Sequence, residues 1–115
     1  MRSFLWGLWV AMTAGGLWYS FLTGQAAAAV WRSTPVDHGV AFAALSLVGV
    51  TASQRRAWRV VAVMLAIGLL IELVQTRIPG RAFEWIDLAE DATGIAVGWA
   101  LVRLSQRTLQ MAETQ

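Results

Sequence analysis

The sequence predicts an all-α integral membrane protein, a single domain over residues 1–115 formed by a bundle of four transmembrane helices. Three observations lead to this fold class. Of the 115 residues, 57% are hydrophobic, the mean hydropathy is +0.56, and four apolar segments alternate with short polar or Gly- and Pro-containing stretches. Such a composition lies on the membrane side of the range for soluble proteins. The length leaves no room for a second domain.

The charged residues and the absence of cysteine exclude several classes of protein. All nine basic residues are arginine, yet the net charge is only +2. We therefore expect no basic face suited to nucleic acid. With no cysteine in the chain, disulfides, iron–sulfur clusters and thiolate metal sites are excluded.

The first helix is expected over residues 4–22, an apolar segment without a charge. Its length is close to the roughly 20 residues that a bilayer span requires. The alternative is a signal peptide cleaved near residues 26–29. However, the apolar region of a signal peptide has only about 7–15 residues, and Arg2 is the only charge ahead of this segment. We expect a retained helix.

The second helix is expected over residues 36–52, after a Gly- and Ala-rich connection at residues 24–35. Pro35 suits the first turn of a helix, and Asp37 can interact favourably with the N-terminal helix dipole. Both features indicate that this helix begins where the Gly- and Ala-rich connection ends.

The third helix is expected over residues 57–77. Its apolar run, residues 60–71, would form about 18 Å of helix, which is too short for a hydrocarbon core of about 30 Å. The helix must therefore continue through Glu72 and Gln75 before Pro79-Gly80 ends it.

The fourth helix presents the same difficulty, because the apolar run at residues 92–102 is also short. We expect it over residues 87–106, a range that carries Asp91 below the membrane surface. The two length arguments place the carboxylates of the third and fourth helices at the same end of the bundle.

Arginine counts near the helix ends predict the orientation, because cytoplasmic loops carry an excess of arginine and lysine. One end would hold Arg2, Arg55, Arg56, Arg59, Arg103 and Arg107. The other end would hold Arg32, Arg77 and Arg81. The excess predicts a multi-pass protein with both termini in the cytoplasm and the acidic end facing outward.

Polar residues recur at helical spacing in the third and fourth helices. Gly68, Glu72 and Gln75 share one face of the third helix, and Glu84, Asp87, Asp91, Gly94 and Gly98 share one face of the fourth. Gly94 and Gly98 form a G-x-x-x-G pair, which lets another helix approach closely. We expect that approach to bring Asp87 and Asp91 near Glu72 and Gln75, with Asp37 at the same end and Arg81 as a neighbouring cation.

This pattern resembles the VanZ-like family of small bacterial membrane proteins. The resemblance covers residues 37–98 and rests on Asp37-His38, Glu72-x-x-Gln75, Pro79-Gly80-Arg81 and Glu84-x-x-Asp87-x-x-x-Asp91-x-x-Gly94-x-x-x-Gly98. The family usually shows Asp-Lys-x-x-His in helix two, where this chain has His38 and Ala41, and Asp91 stands at its usual Asn. Its founding member is associated with low-level resistance to the glycopeptide antibiotic teicoplanin. The resemblance implies a bacterial inner-membrane protein acting at the cell envelope.

We interpret the polar residues as an outward-facing site that binds an amphiphilic or lipid-linked envelope molecule. Its residues would be Asp37, Glu72, Gln75, Arg81, Glu84, Asp87 and Asp91. This many ionisable groups at membrane depth exceeds what helix registry requires. Besides this ligand, we expect membrane lipids and a membrane protein as partners, and neither nucleic acid nor a cofactor.

Two alternatives remain open. The polar residues could form a hydrogen-bonded network that only fixes the helices, in a structural subunit of a larger membrane complex. The chain could also be a metal-dependent hydrolase or transferase acting on a lipid phosphate, because carboxylates suit divalent cations. No metal-ligand spacing is diagnostic and no nucleophile motif is present, so the sequence favours a binding protein over an enzyme.

Overall fold

The structure, a computed structural model, describes residues 1–21 and 37–114, without the side chains of Asp37 and Gln54. Within these ranges the chain forms α1 (Arg2–Ser20), α2 (Asp37–Ser53), α3 (Ala57–Gln75) and α4 (Trp85–Glu113), and a 3₁₀ turn over Gln54–Arg56 joins α2 to α3. The all-α fold class is confirmed. The connection expected at residues 24–35, and the helix limits expected at residues 22 and 36, lie outside the described residues.

Helix α2 is the centre of the bundle, since it packs against each of the other three helices and most extensively against α4. Gly39 and Ala43 of α2 face Gly94 and Gly98 of α4, respectively, so these two helices run parallel. Buried apolar side chains of α2, α3 and α4 form the core: Phe42, Leu45, Val50, Ala57, Val60, Met64, Ile71, Ile95 and Val102. Helix α1 covers this core through Trp9, Met12 and Leu17.

A tight turn after α3 returns the chain to α4. The amide of Arg81 donates to the carbonyl of Ile78 at 3.1 Å, and Gly80 has a φ of 81°. Proline at the second position and glycine with positive φ at the third are typical of a type II turn. Helix α3 ends at Gln75, and proline disfavours helical geometry at Ile78, the residue before it, so the helix cannot resume before the turn.

The observed limits of α3 and α4 differ from the expected ones. Helix α3 stops before Arg77, which is exposed in the turn region and lies outside the helix. Helix α4 begins at Trp85 and continues past residue 106 to Glu113. The added C-terminal segment contains good helix formers such as Gln, Leu, Met, Ala and Glu, and neither glycine nor proline interrupts it.

The outer surface of the bundle is strongly apolar. Large hydrophobic side chains are exposed on every helix, including Trp18 of α1 (74%), Val40 of α2 (61%), Leu73 of α3 (52%) and Leu104 of α4 (58%). Monomeric soluble proteins rarely expose extensive apolar patches. Among the described residues only α3 is both long and apolar enough to cross a membrane, and α2 is apolar but shorter.

The two ends of the bundle differ in charge. Arg2, Arg55, Arg56 and Arg59 line one cleft where α1 begins and α2 joins α3. Arg103 lies at the same end, because it lines a groove together with Arg55. The carboxylates discussed below lie at the opposite end, where α3 turns back into α4.

Candidate functional site

Glu72 is the most deeply buried charged residue of the acidic end, with 0% of its surface exposed. It lies in the last turn of α3, and its Oε2 atom accepts a hydrogen bond from the backbone amide of Glu84 at 2.9 Å. Glu84 is the residue that precedes α4, and the first amides of a helix lack intrahelical acceptors. Glu72 therefore holds the start of α4 against the end of α3. Its other oxygen, Oε1, is buried without a hydrogen-bond partner in the described structure.

Asp91 and His38 form the second polar contact of this end. The Nδ1 atom of His38 lies 3.2 Å from Oδ1 of Asp91, and a carboxylate can only accept, so the ring N–H donates. Asp91 is 1% exposed, whereas the His38 side chain is 12% exposed. The second oxygen, Oδ2 of Asp91, is buried and has no hydrogen-bond partner among the described residues.

Gly68 explains how the carboxylate of Asp91 fits between α3 and α4. A Cβ atom added at Gly68 would lie 2.7 Å from Oδ2 of Asp91, so any other residue here would require this oxygen to move. Gly68 precedes Glu72 by one helical turn on the same face of α3. The carboxylates of Glu72 and Asp91 therefore lie near each other where α3 packs on α4. Glu72 also interacts electrostatically with Asp87, His38 and Asp91.

Gln75 joins α1 to the same end of the bundle. It is 1% exposed, and its Nε2 atom donates to the backbone carbonyl of Ser20 at 3.4 Å. A cavity of about 90 Å³ lies between α1, α2 and α3, with Ser20 and His38 at its polar end and Phe42 and Ile71 among its apolar lining.

The remaining residues of the expected site are more peripheral. Asp87 is half-buried in the first turn of α4. The side chain of Glu84 is exposed, and the backbone amide rather than the carboxylate makes the contact with Glu72. Arg81 is half-buried in the turn before α4. Asp37 is the first residue of α2, and its side chain lies outside the described part of the structure.

The G-x-x-x-G pair packs on a different helix from the one expected. A Cβ atom added at Gly94 would meet the backbone carbonyl of Gly39, and one added at Gly98 would meet the carbonyl of Ala43, so the partner is α2. The expectation that this pair brings α4 onto α3 is therefore wrong. Gly68 of α3 makes the close approach that places Asp91 near Glu72.

Two polar residues in the helix contacts, Ser46 and Glu90, belong to no sequence motif. The Ser46 hydroxyl, fully buried, donates to the carbonyl of Ile95 at 2.9 Å and ties α2 to α4. Glu90 is half-buried beside Gly39, and its Oε2 atom is buried without a described partner. Serine and a single glutamate recur too often in helices to mark such positions.

The described residues contain no group of three or more His, Asp or Glu side chains arranged to hold a metal ion. The acidic end buries the carboxylates of Glu72 and Asp91 where α3 packs on α4, and the imidazole of His38 contacts Asp91 there. Among the described residues, Oε1 of Glu72, Oδ2 of Asp91 and Oε2 of Glu90 are buried acceptors without a hydrogen-bond partner. These atoms can accept hydrogen bonds from a ligand that supplies N–H or O–H groups.

The residues of this site lie within the part of the chain that a family model matches. The family model described as VanZ/LLP1 matches residues 4–106. The chain belongs to the VanZ/LLP1 family. The resemblance stated from the polar pattern is thereby confirmed, and the match extends through α1 and most of α4. Searches of the curated proteins and of the solved structures found no significant match to this VanZ/LLP1-family chain.

Proposed function

We propose that this VanZ/LLP1-family protein is a multi-pass protein of the bacterial inner membrane that binds an amphiphilic or lipid-linked molecule of the cell envelope. The four helices would cross the membrane with both termini in the cytoplasm. The arginine-rich end would face inward and the acidic end outward, in agreement with the positive-inside rule. The exposed apolar side chains of all four helices support contact with lipid on every side.

One observation carries the proposal. Glu72 and Asp91 are 0% and 1% exposed, and each has one carboxylate oxygen without a hydrogen-bond partner within the described residues. A buried polar group left unsatisfied costs about 1–3 kcal/mol, and more if it is charged. Such groups call for a partner that completes their hydrogen bonding. Two such carboxylates lie where α3 packs on α4. They support a ligand-binding site more than a polar contact that only fixes the register of the helices.

The chemistry of these oxygens indicates the class of ligand. Carboxylate oxygens accept hydrogen bonds, so the polar group of the ligand would carry ammonium or hydroxyl donors. Arg81 lies at the rim of the same end, where a guanidinium can bind an anionic group of a larger head group. The apolar cavity beside His38 would receive part of an alkyl chain. Together these features fit an amphiphile whose head group combines donors with an anionic portion.

The proposal can be tested with amphiphiles that share one chain and differ in head group. The purified full chain is placed in phosphatidylcholine nanodiscs and titrated with radiolabelled dodecylamine, dodecyl glucoside or dodecyl phosphate, with empty discs as the blank. We expect saturable binding of the amine and the glucoside. Glu72→Gln should weaken it by about tenfold, which corresponds to roughly 1.4 kcal/mol.

Glu113→Gln is the matched control, because Glu113 is exposed at the far end of α4 and the chemical change is identical. It should bind as the wild type does. Equal binding by wild type and a well-folded Glu72→Gln variant would contradict the proposal. Stoichiometric co-purification with another membrane protein, unaffected by Glu72→Gln, would instead support the structural-subunit alternative.

A further inference from the structure

A groove between α3 and α4 at the arginine-rich end has a polar and an apolar part. Its volume is about 570 Å³. Arg55 and Arg103 line the polar part, and Ala62, Ala92 and Ala96 line the apolar part. From Ala57 to Leu65 of its lining, the groove follows α3 over about 12 Å.

Small side chains create this groove. Ala62, Ala92 and Ala96 are exposed, and they leave space between two helices that approach closely elsewhere, at Gly68. Trp58 and Trp99 line the groove near the arginines. Tryptophan prefers the boundary between hydrocarbon and head groups, so the apolar part points toward the membrane interior.

The arginines of the groove are available to an anion. Among the described residues neither Arg55 nor Arg103 has a salt bridge to a carboxylate. The guanidinium carbon of Arg103 lies 5.7 Å from the ring centre of Trp99, a cation–π contact that keeps the charge beside the groove. Arg55 also lines the neighbouring cleft with Arg2 and Arg56. The polar part of the groove therefore lies next to two more guanidinium groups.

We propose that this groove binds one anionic glycerophospholipid, with its phosphodiester between Arg55 and Arg103 and an acyl chain along Ala62, Ala92 and Ala96. Arginine suits phosphate because its planar guanidinium donates two parallel hydrogen bonds. A neutral partner helix would leave both guanidinium groups unpaired. The site lies at the opposite end of the bundle from Glu72; it rests on the membrane location proposed above but not on ligand binding at the acidic end.

The test compares lipids with identical acyl chains. The purified full chain in neutral detergent is titrated with phosphatidylglycerol, phosphatidylcholine or glycerol phosphate, and bound molecules are counted by native mass spectrometry. We expect one phosphatidylglycerol bound at least about fivefold more tightly than phosphatidylcholine, and about a fivefold loss in Arg103→Gln. Glycerol phosphate should not compete at the same concentrations. Equal competition by glycerol phosphate would show a phosphate site without a chain-binding groove and overturn the proposal.

Matched variants separate the two parts of the site. Arg107→Gln removes the same charge from an exposed position one turn further along α4 that does not line the groove, so it should bind as the wild type does. Ala96→Leu fills the groove without changing charge and should weaken phosphatidylglycerol binding, whereas Ala66→Leu, exposed outside the groove, should not.

Three further results would overturn the proposal. They are equal binding of the two phospholipids, equal losses in Arg103→Gln and Arg107→Gln, and unchanged binding in Ala96→Leu. A cysteine at position 96 that cross-links to a second polypeptide in native membranes would likewise show that a protein covers the groove.

Discussion

His38 in the first turn of α2 and Asp91 in α4 are joined by a 3.2 Å contact between Nδ1 and Oδ1. Both positions depart from what the resemblance to the VanZ-like family implies, namely lysine at 38 and asparagine at 91. The two departures therefore meet in space and form one imidazole–carboxylate pair. In this chain the pair links the two helices that pack most extensively on each other.

A double-mutant cycle should show that His38 and Asp91 are energetically coupled. His38→Ala leaves the buried Asp91 carboxylate without its described donor, whereas Asp91→Asn removes the charge that needs one. We expect His38→Ala to cost more stability in the wild type than in the Asp91→Asn background, with a coupling energy of about 0.5–3 kcal/mol. Unfolding of the purified protein in mixed micelles measures it. Additive losses would contradict the pairing.

Alanine at Gly94 or Gly98 should destabilise the packing of α2 on α4. The added methyl group would meet a backbone carbonyl in each case, and backbone cannot move aside as a flexible side chain can. We expect a loss of about 1–3 kcal/mol per substitution, measured by the same unfolding assay. Gly15→Ala is the control, because a Cβ there meets nothing within 4 Å. Because alanine favours helix more than glycine does, Gly15→Ala should leave stability unchanged or raise it, and equal losses at Gly15 and Gly94 would contradict the packing explanation.

Replacing Glu72 should loosen the start of α4. Glu72→Leu removes the acceptor of the Glu84 amide, so we expect hydrogen exchange of this amide to accelerate by about tenfold, the factor for roughly 1.4 kcal/mol. The amide of Arg81 is the internal control, since it donates to Ile78 within the turn and should exchange as before. Unchanged exchange at Glu84 would contradict the assigned role of Glu72.

The sequence could indicate which residues lie at the acidic end more readily than how they contact one another. The short apolar runs of the third and fourth helices predict carboxylates at one common end of the bundle, because hydropathy and helix length suffice for that prediction and packing does not enter. A G-x-x-x-G pair shows that a helix approaches closely, but it does not identify that helix. The rotation of α2 about its axis decides that Gly94 faces Gly39.

Other contacts are made by backbone atoms, which a residue pattern in the sequence does not reveal. Glu84 contacts Glu72 through its backbone amide, which every residue except proline possesses. The end of α3 at Gln75 depends on the turn at Ile78–Arg81, whereas hydropathy alone favours a longer helix. Apolar segment lengths thus predict the helices, and close backbone contacts determine the arrangement of the polar side chains.

Cysteine labelling in intact cells tests the proposed orientation. The chain has no natural cysteine, so each introduced one reports a single position. Ser33→Cys, in the connection after the first helix, should react with a membrane-impermeant maleimide added outside. Thr114→Cys, exposed after α4, should react only after the membrane is permeabilised. Labelling of both from the same side would contradict the proposed topology.

The depth of Glu72 in the membrane is the most direct test of the account, and it can be measured without altering the site. Leu73 is the next residue of α3 and is 52% exposed, so a nitroxide on Leu73→Cys reports the depth of Glu72 from the outer surface of the bundle. Arg77→Cys, exposed beyond the end of α3, is the reference. In nanodiscs, power-saturation spectroscopy should show that oxygen reaches the label at 73 far better than a water-soluble nickel chelate does, with the opposite preference at 77. A label at 73 that favours the chelate would place Glu72 in water above the membrane and contradict the account.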